Sequence, residues 1–401
     1  MTWKSRGAAA LMAVALAAAL GACAPAESAD RVGGQATGHA TPAAFQAAVN
    51  IAGDATDVAV DTLVKVTPSS GTLTSVAVTG VGSSTKGGPS TSTVPGAIGQ
   101  DGTWTATERL DPATVYTVVA TGTSGAGESS VTSRFTTVAL TLKQQIHATI
   151  TNQSGSTYGV AMPVDVTFDL PVADRTSFEQ ALQVTTVPAQ NGSWGWLSDR
   201  EVQWRPENYF EPGTKVTVQA NLNGVSAGDG KYGQNSASAD FTIGQSRITK
   251  VDLSSKQLTQ YVDGAVVATV PVSGGKSGST TRSGTSVVME KLAQTRMASE
   301  TIGIANDSAD GYDLQVKYAI RITTSGEFLH AAPWNAAYFG RSNQSHGCVG
   351  MGTADAQKLF GIIQIGDPVV VTGTSRPLDS GNGWTAWNDS WEQWQARSAL
   401  A

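Results

Sequence analysis

The sequence predicts a mainly β protein in which two tandem immunoglobulin-like β-sandwiches precede a third β-rich domain. Three observations carry this. From about residue 49 to 245, short segments of period-2 alternation recur between Gly, Ser, Thr and Pro turns, the pattern of half-buried strands in a sandwich. At 401 residues the chain is too long for one domain. Charged residues make up only 14% of it, while Gly, Ala, Ser, Thr and Val dominate, as in extracellular β proteins.

The chain opens with Lys4 and Arg6, an apolar run from about Gly7 to Leu20, and then Leu20-Gly21-Ala22-Cys23. The run is shorter than the roughly 20 residues a membrane span needs, so residues 1–22 read as a secretory signal that ends like that of a bacterial lipoprotein. Cys23 would then become the first residue and carry a diacylglyceryl group. Buried methylenes hold at about 0.8 kcal/mol each, so two or three chains anchor stably where one does not. Ordinary secretion with an incidental cysteine is the alternative. Residues 23–48, small, polar and Pro-containing, read as a flexible tether in which His39 is solvated and idle.

In the first sandwich, residues 49–140, the strand marks are Val58/Val60, Leu63 to Val66, Val76 to Val78, Trp104, Val115 to Val119 and Phe135. In the second, residues 141–245, they are Val164/Val166/Phe168, Trp194/Trp196, Val202/Trp204 and Val216/Val218, with one short helix over Arg175 to Leu182. Its tryptophans read as core filler. His147 reads as structural, because no nucleophile or carboxylate stands near it in sequence.

Charge and sulfur exclude several functions. The net charge is −6 and no Lys/Arg cluster follows the signal, which argues against a nucleic-acid partner. Four histidines and one free thiol fall short of a zinc set, and no phosphate loop is present, so neither metal nor cofactor is predicted. Cys23 and Cys348 are the only cysteines. With Cys23 acylated, Cys348 is a free thiol in an oxidising compartment, where it must be used or buried.

The third domain, residues 246–375, begins with strands over Ile248 to Leu253, Gln257 to Tyr261 and Gly264 to Ser273, with Asp263-Gly264 as a hairpin turn. A Gly/Ser/Thr-rich loop runs to Gly284, and an irregular stretch containing Met297 is expected after Glu290. Two such loops read as a flap over a site. Strands over Val316 to Ile322 and Phe328 to His330 follow, and then the run Ser345-His346-Gly347-Cys348-Val349-Gly350. A Trp-rich segment, residues 376–401, closes the chain.

Acyl transfer needs a nucleophile, a proton carrier and a trap for the oxyanion, and each has a candidate here. Cys348 is the nucleophile, since a Ser-His-Gly-Cys run is too polar for core. A thiol is only a few per cent ionised at neutral pH, so His330 would draw off its proton or hold it as a thiolate–imidazolium pair. His330 would return the proton to the leaving amine. Backbone N–H groups of Gly347 and Cys348 are the candidate oxyanion donors. His346 shapes that loop and Ser345 supports it by hydrogen bonding.

On these residues, His330-Ala331-Ala332-Pro333-Trp334 followed by Ser345-His346-Gly347-Cys348, the region from about Ser246 to Ala401 resembles the L,D-transpeptidases of bacterial cell walls, with the YkuD-type catalytic fold. The two sandwiches and the tail with Trp384, Trp387, Trp391 and Trp394 resemble the actinobacterial members, so nearly the whole mature chain is covered. Two departures stand out. Many members carry Arg where this chain has Gly350, which would alter substrate contacts. Ala331 stands where others have Gly or Ser, which is harmless if the backbone carbonyl orients the imidazole.

The resemblance implies that Cys348 attacks the third-residue carbonyl of a tetrapeptide stem of peptidoglycan and releases D-alanine. The thioester would then pass to a side-chain amine of another stem, giving a 3→3 cross-link. It implies acylation of Cys348 by carbapenems and, with the Cys23 lipid anchor in the cell membrane, an extracytoplasmic protein facing the wall. Tyr312 matches the family's flap tyrosine. Met297, Trp334, Ser325 and Gly326 are candidates for lining the substrate channel. The same acyl-enzyme would equally serve hydrolysis, D-amino-acid exchange or protein attachment, and a wall-binding lipoprotein without activity is the alternative from another class.

Overall fold

The computed structural model describes residues 43–83 and 89–401. The signal run and Cys23 lie outside the described residues. Among the described residues no helix is long and apolar enough to cross a membrane.

Alternation sets the first sandwich. One sheet orders Gln46–Val49, Lys65–Ser70, Trp104–Ala106 and Gly96–Ile98, and the other orders Ala55–Val58, Gly127–Thr137, Val115–Ser124, Thr72–Ser83 and Pro89–Thr93. Inward-facing Val66, Val78, Trp104, Tyr116, Val118 and Phe135 meet between them. The expected tether ends too late. Phe45 is buried, and Gln46–Val49 pairs antiparallel with Lys65–Ser70, because an apolar residue followed by a pairable strand gains more by joining the sheet than by staying in solvent.

The second sandwich joins a six-stranded and a four-stranded sheet around Phe168, Phe178, Trp194, Trp196, Trp204 and Phe241. Its helix, Arg175–Gln180, is capped by Asp174, whose side chain accepts from the Ser177 N–H at 3.0 Å. His147 does find a carboxylate that sequence distance hid: its Nδ1 lies 3.2 Å from Asp169 Oδ2, at a half-exposed position away from the thiol.

The third domain packs two sheets on one core. The five-stranded sheet orders Ala265–Pro271, Gln257–Val262, Arg247–Asp252, Pro368–Thr372 and Gly284–Val287; the four-stranded sheet orders Glu290–Ala298, Asp313–Arg321, Phe328–Ala331 and Val349–Met351. The helix Thr353–Ile362 buries Ala356 and Leu359 against this core. At the hairpin, Asp263 and Gly264 take φ of +48° and +81°, the left-handed pair that a tight two-residue turn requires. The stretch after Glu290, expected to be irregular, is instead a nine-residue strand paired with Asp313–Arg321. Exposed Ala293, Gln294 and Arg296, with half-buried Thr295 between them, hide the periodicity, since only Leu292 and Met297 of this strand pack on the small cluster with Val316 and Phe328.

The Trp-rich tail is not a separate layer, for it returns to the second sandwich. Ser390 and Gln393 form a reciprocal capping box that starts the helix Trp391–Gln395. Trp394 is fully buried and donates through Nε1 to the Ser193 carbonyl at 2.9 Å. Arg205, 2% exposed, lies over the rings of Trp387, Trp391 and Trp394 at 4.8, 5.4 and 5.3 Å. Buried Glu179 of the second sandwich accepts from Trp196 Nε1 at 2.8 Å, from the Ala399 N–H at 2.7 Å and from Ser398 Oγ.

Candidate active site

Two short neighbouring strands hold the thiol and the imidazole. Phe328–Ala331 and Val349–Met351 run parallel, with His330 in register with Gly350. A parallel pair needs a crossover, and this one contains the 3₁₀ turn Pro333–Tyr338 and the loop Ser345 to Cys348. Cys348 therefore sits one residue before its strand, and both side chains open on one cavity of about 250 Å³, with Met297, Tyr312, Trp334 and His346 also on its wall.

The imidazole has a fixed tautomer. His330 Nδ1 lies 2.8 Å from the Ala331 carbonyl oxygen, and a carbonyl only accepts, so Nδ1 holds the proton and Nε2 keeps its lone pair. Ala331 is thus used through its backbone. Burial pushes the His330 pKa below its ordinary value, against the pull of that carbonyl, so the ring is a neutral base. Cys348 is partly buried and its thiol points at the Gly326 carbonyl at 3.6 Å. Burial pushes its pKa up to about 12, with Glu327 adding to the rise, while the Phe328 N–H and Arg321 oppose it. Burial thus favours the neutral form of both groups.

Hydroxyls staple the loop. Ser345 Oγ donates to the Cys348 carbonyl at 2.5 Å and accepts from the Gly347 N–H at 3.1 Å. The Gly347 N–H, expected as an oxyanion donor, is therefore already engaged, whereas the Cys348 N–H has no intramolecular acceptor among the described residues. Gly347 takes φ +131°, a region open to glycine and strained for other residues. His346 packs its ring 5.2 Å from that of Tyr312, with Nε2 buried and 4.0 Å from Asp310, beyond hydrogen-bond reach. Burial, aided by Lys276 and opposed by Asp310, lowers its pKa.

The remaining expected residues divide. Tyr312, Met297, Trp334 and Gly350 line the cavity; Trp334 is 47% exposed at its mouth and stacks 6.1 Å from His330. Ser325 does not reach the cavity. Its hydroxyl meets Thr323 Oγ1 and the Asn382 side chain, tying the turn to the tail. Gly326 acts through its carbonyl on the sulfur rather than on the cavity wall. At Gly350 a Cβ would lie 2.8 Å from that of Ala332, so the alanine leaves no room for a larger residue there. Sequence reasoning missed Leu314, Val316, Asn335 and Gln344 on the wall. It also missed the enclosed ion pair of Arg282 Nη1 with Glu327 at 2.9 Å behind the loop. Strand alternation from Tyr312 was the available signal for Leu314 and Val316.

A thiol held at the start of one strand and an imidazole on its neighbour, sharing one cleft, define a cysteine-dependent acyl-transfer enzyme. Comparison with known proteins agrees. Residues 55–226 match the bacterial Ig domain family and residues 246–371 match the L,D-transpeptidase catalytic domain. L,D-transpeptidase 2 of Mycobacterium tuberculosis is 36% identical over 352 residues, covering 86% of this chain and 83% of that protein. L,D-transpeptidase 5 of the same species is 36% identical over 318 residues, covering 77% of this chain and 68% of its own. Among solved structures, L,D-transpeptidase LdtMt1 in complex with imipenem is 34% identical with a TM-score of 0.49, spanning 56% of this chain and 97% of that one. This chain belongs to the L,D-transpeptidases, with immunoglobulin-like modules ahead of the catalytic domain.

Proposed function

We propose that the protein forms 3→3 cross-links in peptidoglycan. The observation that supports this best is the locked tautomer of His330, which leaves Nε2 as a base in the cavity shared with Cys348. Nε2 takes the thiol proton as sulfur attacks the third-residue carbonyl of a donor tetrapeptide stem. The carbonyl π electrons move to oxygen, near the free Cys348 N–H. The intermediate collapses to a thioester, and D-alanine leaves with the proton from His330. The side-chain amine of an acceptor stem then attacks, gives its proton to Nε2, and releases the thiol. Tyr312, Met297, Trp334 and Gly350 form the substrate wall, and a carbapenem ring opens on the same sulfur. Cys23 anchors the protein in the membrane on its outer face, and the modules between them act as spacers.

Intact-mass spectrometry of the soluble chain with meropenem, on wild type and Cys348→Ala, followed by incubation with disaccharide-tetrapeptide, tests this. The expected result is an adduct on wild type alone and a 3→3 dimer. An adduct without dimer moves the activity to hydrolysis, exchange or protein attachment, and no adduct leaves a wall-binding role. Palmitate labelling tests the anchor: a Cys23→Ala variant that stays fully labelled refutes it.

A further inference from the structure

We infer that Thr281 is a positioning residue for the oxyanion donor, acting through the peptide between Gly347 and Cys348; this rests on the acyl-enzyme reading above. Thr281 is fully buried in the loop that precedes the strand Gly284–Val287, far from the motif in sequence. Its hydroxyl accepts from the Gly275 N–H at 2.8 Å and lies 2.7 Å from the Gly347 carbonyl oxygen. A carbonyl cannot donate, so the hydroxyl proton is committed to Gly347 O.

That bond fixes one end of a rigid plate. A trans peptide is planar, with its C=O and N–H pointing in opposite directions. Holding Gly347 O on the Thr281 side therefore aims the Cys348 N–H the other way, and this N–H has no intramolecular acceptor among the described residues. Every other polar backbone group of Gly347 and Cys348 is taken: Gly347 N–H and Cys348 O by Ser345 Oγ, and Gly347 O by Thr281. With no Cβ on Gly347, its ψ is little restricted, so the plate can turn if that carbonyl is released. Loop contacts fix Thr281 in turn. The Lys276 N–H donates to Ser345 O at 2.8 Å, the Ser345 N–H to Gly274 O at 2.9 Å, and Thr374 Oγ1 to Thr281 O at 2.8 Å.

The test separates oxyanion formation from thiol reactivity. Wild type, Thr281→Val, Thr281→Ala and Thr281→Ser are compared for acylation by meropenem and for alkylation by iodoacetamide. In alkylation sulfur displaces iodide from carbon, with no carbonyl oxygen gaining charge. Thr281→Val should slow acylation roughly 10- to 100-fold, somewhat less than loss of a donor outright, while alkylation stays within about twofold in every variant and Thr281→Ser restores acylation. If the valine protein folds poorly, the alanine variant, which leaves room for a water at the Gly275 N–H, should show the same selective slowing of acylation. With the tetrapeptide, kcat should fall and KM hold. Equal slowing of acylation and alkylation, or no slowing of either, overturns this inference alone. A wild type that alkylates but takes no lactam overturns the acyl-enzyme reading and this inference with it.

Discussion

Trp394→Ala should loosen the tail that ties the catalytic domain to the second sandwich, and the structure gives its size. The side chain is fully buried. A tryptophan buries roughly 150–250 Å², which at about 25 cal/mol/Å² is worth about 4–6 kcal/mol before the methyl that alanine keeps is subtracted. Its Nε1 bond to the Ser193 carbonyl is lost as well, and so is one of three rings over Arg205. Measured Trp→Ala losses of about 3–5 kcal/mol are the appropriate scale, because the rim partly collapses. In a cooperative unit of 150–250 residues, 1 kcal/mol moves Tm by about 2–4 °C, so the expected drop is about 6–20 °C. Differential scanning calorimetry reads it, with Trp394→Phe as the milder comparison. A Tm within about 2 °C of wild type would refute the claim that the tail is a structural strap.

Three further outcomes follow from named contacts. His330→Gln should cut acylation by about 10²- to 10⁴-fold, and the acid limb of the wild-type acylation profile should fall below the ordinary histidine value, because burial depresses the His330 pKa; stopped-flow acylation across pH reads both. Gly350→Ala should reduce acylation through the 2.8 Å approach to Ala332 Cβ, and adding Ala332→Gly should recover most of the loss if that contact is the cause. Asp367 is fully buried, and burial raises its pKa from 3.8 to about 7, against the Gln364 N–H, Arg247 and Lys291. The folded protein thus holds a proton that the unfolded chain releases. This group's contribution is complete below about pH 4 and is lost as pH rises through about 7. In Asp367→Asn the fall in Tm from about pH 5 to 8 should be shallower, and an unchanged fall would count against it.

How much of this was legible depends on how local each interaction is. The alternation of Val115 to Val119, the Asp263-Gly264 turn and the Ser-His-Gly-Cys run are short-range patterns, since strand period, turn dihedrals and a polar run around one thiol are written within a few residues. They sufficed for the β class and to single out Cys348 with His330; the backbone use of Ala331 entered only as a condition on the family comparison. Where the pattern was weak the reading failed: Gln294 and Arg296 face solvent on a strand whose apolar contacts are few, Leu292 and Met297 packing on one small cluster and Ala298 buried at its end.

Contacts between distant segments were decided by the tertiary structure alone. Asp169 meets His147 across 22 residues, Asn382 takes Ser325 away from the cavity, and Ser345 takes the Gly347 N–H that the motif offered as an oxyanion donor. Thr281 reaches Gly347 across 66 residues, and Trp394 reaches Ser193 across 201. No sequence window contains such pairs. A hydroxyl finds a carbonyl only where packed sheets bring them within hydrogen-bond distance, and burial then makes that partner obligatory. The sequence by itself determined the chemistry this chain carries, while the packing of its sheets and tail decided which way each donor points.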